Sequence, residues 1–275
     1  MMRLLNYILF LLIAFTSSKA FAQSKDLVSQ ENKLINYHIE VDTRLERSRK
    51  IPYDSLQYKN DSVELFVTKL ETEFIQLITG NPKTLDYLFK RLQDSGLCHT
   101  STSADGNFRI YDLYGWLLRT QIYQWRERNN VFTKVIKFTK DSFGVCRNIY
   151  TVKVKNQPHY LPVISFLDWN EQATQFVTAF RINANSLDSV QLFKNKETRL
   201  NRIEYPISLG NMMKDSLRFI NITYDDKQNK LYVPLTDEYG MFTKQYSIYE
   251  LKGDYLEFTS VGELKLEKPM PAPGK

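Results

Sequence analysis

The residues of this chain best equipped for chemistry form one short run, Asp168-Trp169-Asn170-Glu171. Two carboxylates beside an indole are what glycoside hydrolysis uses, one as acid and the other as base or nucleophile, with the ring as a platform for the sugar. The run falls at the expected end of a strand, where acids and amides also gather to build turns. A second pairing, Cys98-His99, offers a nucleophile beside a base. Neighbours on an extended chain project to opposite faces, however, so these two are poorly placed to share a proton. The three histidines, His38, His99 and His159, lie far apart, with no His-Glu-x-x-His or paired Cys-x-x-Cys spacing, so no metal site is expected. Asp105-Gly106-Asn107 and the run from Asp225 to Asn229 have the composition of calcium loops. Neither has the glycine at the sixth position and the terminal glutamate that complete such a loop, and both are expected as hairpin turns. No cofactor is expected and no catalytic residue is assigned.

Aromatic side chains are the richer feature. The chain has seventeen tyrosines, seventeen phenylalanines and three tryptophans, most densely clustered at Tyr111, Tyr114, Trp116, Tyr123 and Trp125. Aromatics in strands mostly form core and cross-strand pairs, but an exposed set would suit a saccharide or protein partner. Tyr114, Trp116, Trp125 and Trp169 are the candidate binding surface. The two cysteines, Cys98 and Cys146, are either buried thiols or a disulfide. The bridge is the favoured expectation in an oxidising compartment, where it would contribute about 3 to 4 kcal/mol by restricting the unfolded chain.

Positioning such residues requires a scaffold, and the hydrophobic period changes near residue 100. From Asp61 to Ile78, Val63, Phe66, Val67, Leu70, Phe74, Leu77 and Ile78 recur at three and four, which predicts a helix. Asp61 and Glu64 have capping-box spacing. A second helix is expected after Asn81 and Pro82, ending at Gly96 and burying Leu85, Leu88, Phe89 and Leu92. In 26–48, Leu27, Leu34, Val41 and Leu45 suit a helix, whereas Ile35, Tyr37, Ile39 and Val41 would suit a strand. Length and the lack of turn residues favour the helix, broken at Ile51-Pro52.

Beyond about residue 105 the period becomes two and β-formers dominate. Strands are expected over 108–111, 119–126, 132–138, 145–154, 159–168, 175–183, 189–193, 202–207, 217–224, 230–234, 243–251 and 255–261. Short polar loops with no intervening helix imply an antiparallel meander, as a sandwich, a barrel or a propeller-like sheet. The predicted class is α+β: a helical segment over 23–100, a β domain over 101–263 and a structureless tail over 264–275.

The chain opens with Arg3, an apolar run from Leu4 to Phe15, and Ala20-Phe21-Ala22. These are the proportions of a signal peptide cleaved after Ala22, and the run is too short for a bilayer-spanning helix. The expected product is periplasmic or secreted, with no permanent membrane anchor. Its formal charge is the full chain's +6 less Arg3 and Lys19, or +4. The densest basic stretch, Arg44 to Lys50, lacks interleaved aromatics, so nucleic acid is not an expected partner.

The run Ser101 to Asp112, with its Ser103-Ala104-Asp105-Gly106-Asn107-Phe108-Arg109-Ile110-Tyr111 element after a two-helix region and a signal peptide, resembles a group of uncharacterised secreted proteins of Bacteroidota-type bacteria. The resemblance implies export and an element that opens the β region, and carries no activity. The expected role is a non-enzymatic binding or interaction module for a protein or saccharide partner. The alternative is an extracytoplasmic hydrolase of saccharide or peptide, with Asp168 and Glu171 as its carboxylates.

Overall fold

The computed structural model describes residues 26–47, 56–113, 120–138, 142–168, 172–207 and 221–264. The chain divides into two compact units between Cys98 and His99. The first is helical and the second is built of β-strands, so the protein is α+β.

The first unit holds helix α1 (26–47), helix α2 (Leu56–Gly80), a 3-10 turn (Pro82–Leu85) and the short helix α3 (Lys90–Asp94). Along α1 the buried positions Leu27, Glu31, Leu34 and Val41 fall on one stripe, as helical spacing dictates. The expected α2 face is buried at Val63, Val67, Leu70, Phe74, Leu77 and Ile78. The helix starts earlier than expected, at Leu56, so Asp61 lies inside it and is not its cap. Ile51-Pro52 lies outside the described residues.

The second predicted helix is interrupted. Asn81 does cap, its side chain accepting from the Lys83 amide at 3.1 Å, and Gly96 does take positive φ at 75°. Between them the chain leaves the helix, and Phe89 adopts φ 48°. That break buries Phe89 against Phe74 and Tyr87 and leaves Leu88 exposed. Glu31 replaces a local cap: its carboxylate accepts the Leu92 amide at 3.0 Å and the Tyr87 hydroxyl at 2.6 Å. A long-range side chain thus satisfies a first-turn amide of α3. Burial, then the bond to Glu31, pushes the Tyr87 hydroxyl up to about 12.

The described residues of the β region form three sheets. The first is β1 (Cys98–Thr102), β2 (Phe108–Leu113), β3 (Thr120–Glu127) and β4 (Asn130–Lys137), in that order. The central sheet runs β12 (Arg202–Ile207), β7 (Gln172–Thr178), β6 (Gln157–Asp168), β8 (Phe180–Asn183) and β9 (Ser186–Ser189), with β5 (Ser142–Val154) paired to β6. The third runs β11 (Thr198–Leu200), β10 (Phe193–Asn195), β16 (Tyr255–Gly262), β15 (Phe242–Lys252), β14 (Lys230–Thr236) and β13 (Thr223–Asp225). Among the described residues the strand registers are antiparallel except that of β10 with β16, which is parallel at Phe193↔Leu256, a departure from the expected pure meander. The predicted strand over 175–183 is also split at Ala179, whose amide and carbonyl bond to Asn201 and Val190 instead.

The central sheet is buried on both faces. Tyr160 and Ile164 of β6 join Phe108, Ile110, Tyr123 and Trp125 in one core, while Leu161 and Val163 join Phe193, Leu231, Tyr249 and Leu256 in the other. Two-sided burial explains the near-continuous apolar run of β6. On β5 the register shifts between Cys146 and Asn148. The extra residue puts Cys146 and Ile149, at odd separation, into the same core, as a bulge does. Inside the second core, Gln175 donates to Ser165 and Asn221 and accepts from the Ile222 amide and the Tyr205 hydroxyl, so this buried amide is fully paired.

The cysteines correct the expected disulfide. Both are free, buried thiols, not at disulfide distance. The β1 residue that reaches Cys146 is Ser101, whose hydroxyl donates to the Cys146 carbonyl at 2.9 Å. Cys98 lies three positions back, about 10 Å along the strand and on its other side.

Candidate functional site

Four hairpin turns of the second unit gather around one polar cleft of about 630 Å³. The first sheet contributes Asn107 from the β1–β2 turn and Arg126, Glu127 and Arg128 from the end of β3 and its turn into β4. The central sheet contributes Gln157, Pro158 and Tyr160 from the start of β6, and Arg181, Ile182 and Asn183 from β8. Three arginines against one glutamate make the lining cationic.

Local chemistry fixes these turns. In the β1–β2 turn, Asp105 accepts from the Ser103 hydroxyl at 2.6 Å, the Asn107 amide at 3.1 Å and the Asn107 side chain at 3.2 Å. Its second oxygen also accepts the Tyr160 hydroxyl at 2.8 Å, which ties the turn of the first sheet to β6 of the central one. The Arg126 amide donates to the Asn107 carbonyl at 2.8 Å and ties β3 to the same turn. Burial pulls the Asp105 carboxyl up, but the bonds from Ser103, Asn107 and Tyr160 together outweigh it and hold the group below its ordinary value. Burial and the bond to Asp105 push the Tyr160 hydroxyl up. The floor of the cleft is therefore braced before any ligand arrives.

The arginines are held differently. Arg181 sits opposite Asp188 in the β8–β9 register; the bonds from Ser186 at 2.7 Å and Asn183 at 2.9 Å, with the nearby Arg181 charge, hold the Asp188 carboxyl below its ordinary value. Arg128 leads the two-residue turn closed by Glu127↔Asn130 and adopts φ 55°, a position that favours glycine. Its side chain is 90% exposed and its ionic contact with Glu127 is a long 3.9 Å. A guanidinium presents several donors in a rigid fork that matches carboxylate and phosphate oxygens. This arrangement can bind and orient an anion.

A separate polar cluster lies between the first and central sheets. The buried Asp112 carboxylate accepts Gln121 at 2.7 Å and the Cys146 amide at 2.9 Å, with His99 Nδ1 3.2 Å away. His99 is partly exposed. Burial raises the Asp112 carboxyl despite these partners, and burial, with Asp112 nearby, raises the Cys146 thiol well above its usual value. A thiol so disfavoured as thiolate is inert, so Cys146 gives this cluster no nucleophile.

The sequence-predicted residues distribute otherwise. Trp125 is 4% exposed and stacks on Phe132 at 6.0 Å, because its pairing with Phe108 places it on the core face of β3. It therefore cannot serve as surface. Tyr111 and Tyr123 are core as well. Tyr114, Trp116, Trp169 and Glu171 lie outside the described residues, and Asp168 is described only as the backbone end of β6, paired with Ser142 and Gln172. The Cys98-His99 pair separates, since His99 engages Asp112. His159 Nδ1 meets the Gln157 carbonyl at 3.1 Å, and His38 lies 3.5 Å from Asp42, one helical turn on. Asp105 serves its hairpin, and Asp225 caps its own turn by accepting from Lys227 and Gln228. Among the described residues, no group of three or more His, Cys, Asp or Glu side chains could hold a metal, and no helix is long and apolar enough to cross a membrane. The cleft arginines escaped sequence reading because only strand register brings 126, 128 and 181 together. The one legible sign was Arg128-Asn129 between two β-rich runs, a turn occupied by a cation. Compared with family models, curated proteins and solved structures, the chain matches none.

Proposed function

We propose that this chain is an exported, non-enzymatic binding module that holds a negatively charged ligand in the arginine-lined cleft. The observation that carries the reading is the convergence of Arg126, Arg128 and Arg181 from two sheets onto one braced, polar concavity with a single lining carboxylate. Among the described lining residues three arginines stand against one partly exposed glutamate, and this local excess of positive charge raises the concentration of anions and their association rate. The volume lies in the range of small-ligand sites. Export, which the Leu4–Phe15 and Ala20-Phe21-Ala22 pattern supports, would give the cleft access to extracytoplasmic ligands.

The test is a panel of acidic and neutral saccharides and peptides, bound to the wild-type chain and to the double variant Arg126→Ala/Arg181→Ala at low and high salt. The expected result is salt-sensitive binding of acidic members only, weakened at least ~10-fold in the variant, since one charge-assisted contact is worth about 1.5–3 kcal/mol. Binding that is indifferent to both salt and the arginines would refute the reading.

A further inference from the structure

We infer that the ligand of the cleft is an acidic saccharide, a short chain of uronate-type sugars; this rests on the cleft being the ligand site. Three features of the lining select it. The arginine forks match the planar carboxylate of a uronate. Glu127 and the side-chain amide of Gln157 supply both acceptors and a donor, which a polyhydroxylated ring needs. Glu127 repels any anion, and it disfavours inorganic sulfate or a sulfated chain more than a ligand that carries one carboxylate per neutral hydroxylated ring. The exposed Pro158 and the half-buried Ile182 add apolar surface on which the C–H face of a sugar can rest, while Tyr160 stays buried beneath them with its hydroxyl committed to Asp105.

An acidic peptide is a poorer fit. Extended peptides bind by adding to a sheet edge through main-chain hydrogen bonds. The backbone around this cleft belongs to hairpin ends already closed on themselves, at Glu127↔Asn130, Val154↔Gln157 and Asn183↔Ser186. The walls therefore offer side chains rather than a ladder.

The experiment is calorimetric titration of the full chain with oligomers of galacturonate, mannuronate and glucuronate, their methyl esters, inorganic sulfate, and a glutamate-rich peptide of equal charge. At least one uronate series is expected to bind, its ester about tenfold or more weaker, and Arg181→Ala to lose a similar factor. Glu127→Gln, which removes that repulsion, is expected to strengthen sulfate severalfold more than uronate, a change in selectivity that a merely structural role for Glu127 would not produce. Esters binding as tightly as acids would overturn the carboxylate assignment. Peptide or sulfate binding in an arginine-dependent manner without uronate binding would overturn the saccharide and leave the anionic cleft standing. No binding of any probe, with Arg181→Ala indistinguishable from wild type, would overturn both.

Discussion

At the scale of single residues, Arg128 carries the clearest conflict between fold and use. A side chain at positive φ in a two-residue turn costs roughly 1–2 kcal/mol against glycine, and residues so placed cluster where function holds them. Arg128→Gly is therefore expected to leave the unfolding midpoint unchanged or raise it while weakening binding of the anionic ligand. Loss of stability in that variant, seen by thermal or denaturant unfolding, would mean that the arginine serves the fold. Asp105 gives a pH signature. Its carboxyl binds a proton less readily in the native state than in the unfolded chain. Its contribution is thus fully present above the ordinary value of 3.8 and is lost as pH falls through the lower native value. The stability gap between wild type and Asp105→Asn should be widest near neutrality and shrink in acid. Asp112 has the opposite sign, its carboxyl being raised, so the gap between wild type and Asp105→Asn must be compared rather than the total. A gap that stays constant down to pH 2 would contradict the assignment.

Elements show which parts of the fold local sequence can specify. Most strands lie close to their expected positions; Arg202–Ile207 coincides with expectation, because turn residues punctuate the β region every few residues. The breaks come where distant partners intervene. The helix expected over 82–95 fails because Phe89 gains full burial and Glu31 caps α3 from afar, which no local propensity encodes. β1 went unrecognised since Cys98–Thr102 has little alternation, and its bond from Ser101 to Cys146 depends on tertiary register. Cleft residues were illegible for the same reason: Arg126 and Arg181 look like ordinary surface cations until the sheets are assembled. Glu31→Ala tests the helical unit. Removing it leaves the Leu92 amide and Tyr87 hydroxyl without this carboxylate, and a loss of about 1–3 kcal/mol is expected in urea unfolding. A loss within 0.5 kcal/mol, roughly the scatter of surface changes, would show that the cap contributes little.

Across the whole molecule, the central sheet buried on both faces makes a stiff frame from which hairpin turns project, and the cleft occupies one set of those turns. That arrangement suits a binding module, since loops on a rigid scaffold can carry specificity without disturbing the core. The frame needs no covalent staple. Denatured but unreduced protein should take up two alkyl groups, at Cys98 and Cys146, whereas the native protein should leave the buried Cys146 unmodified. Alkylation of the denatured chain only after reduction would contradict the free thiols. The same mass spectrum of protein recovered from outside the cytoplasm should begin at Gln23 if export proceeds by cleavage after Ala22, and an intact Met1 would argue against it. The most direct test of the central proposal is a titration of isotope-labelled protein with uronate oligomers, following the arginine Nε–H and backbone amide signals by nuclear magnetic resonance. The expected result is saturable shifts at Arg128 and Arg181 together with the amides of Gln157 and Asn183, absent in Arg181→Ala. Shifts confined to the third sheet or to the helical unit, with the cleft signals unmoved, would contradict it.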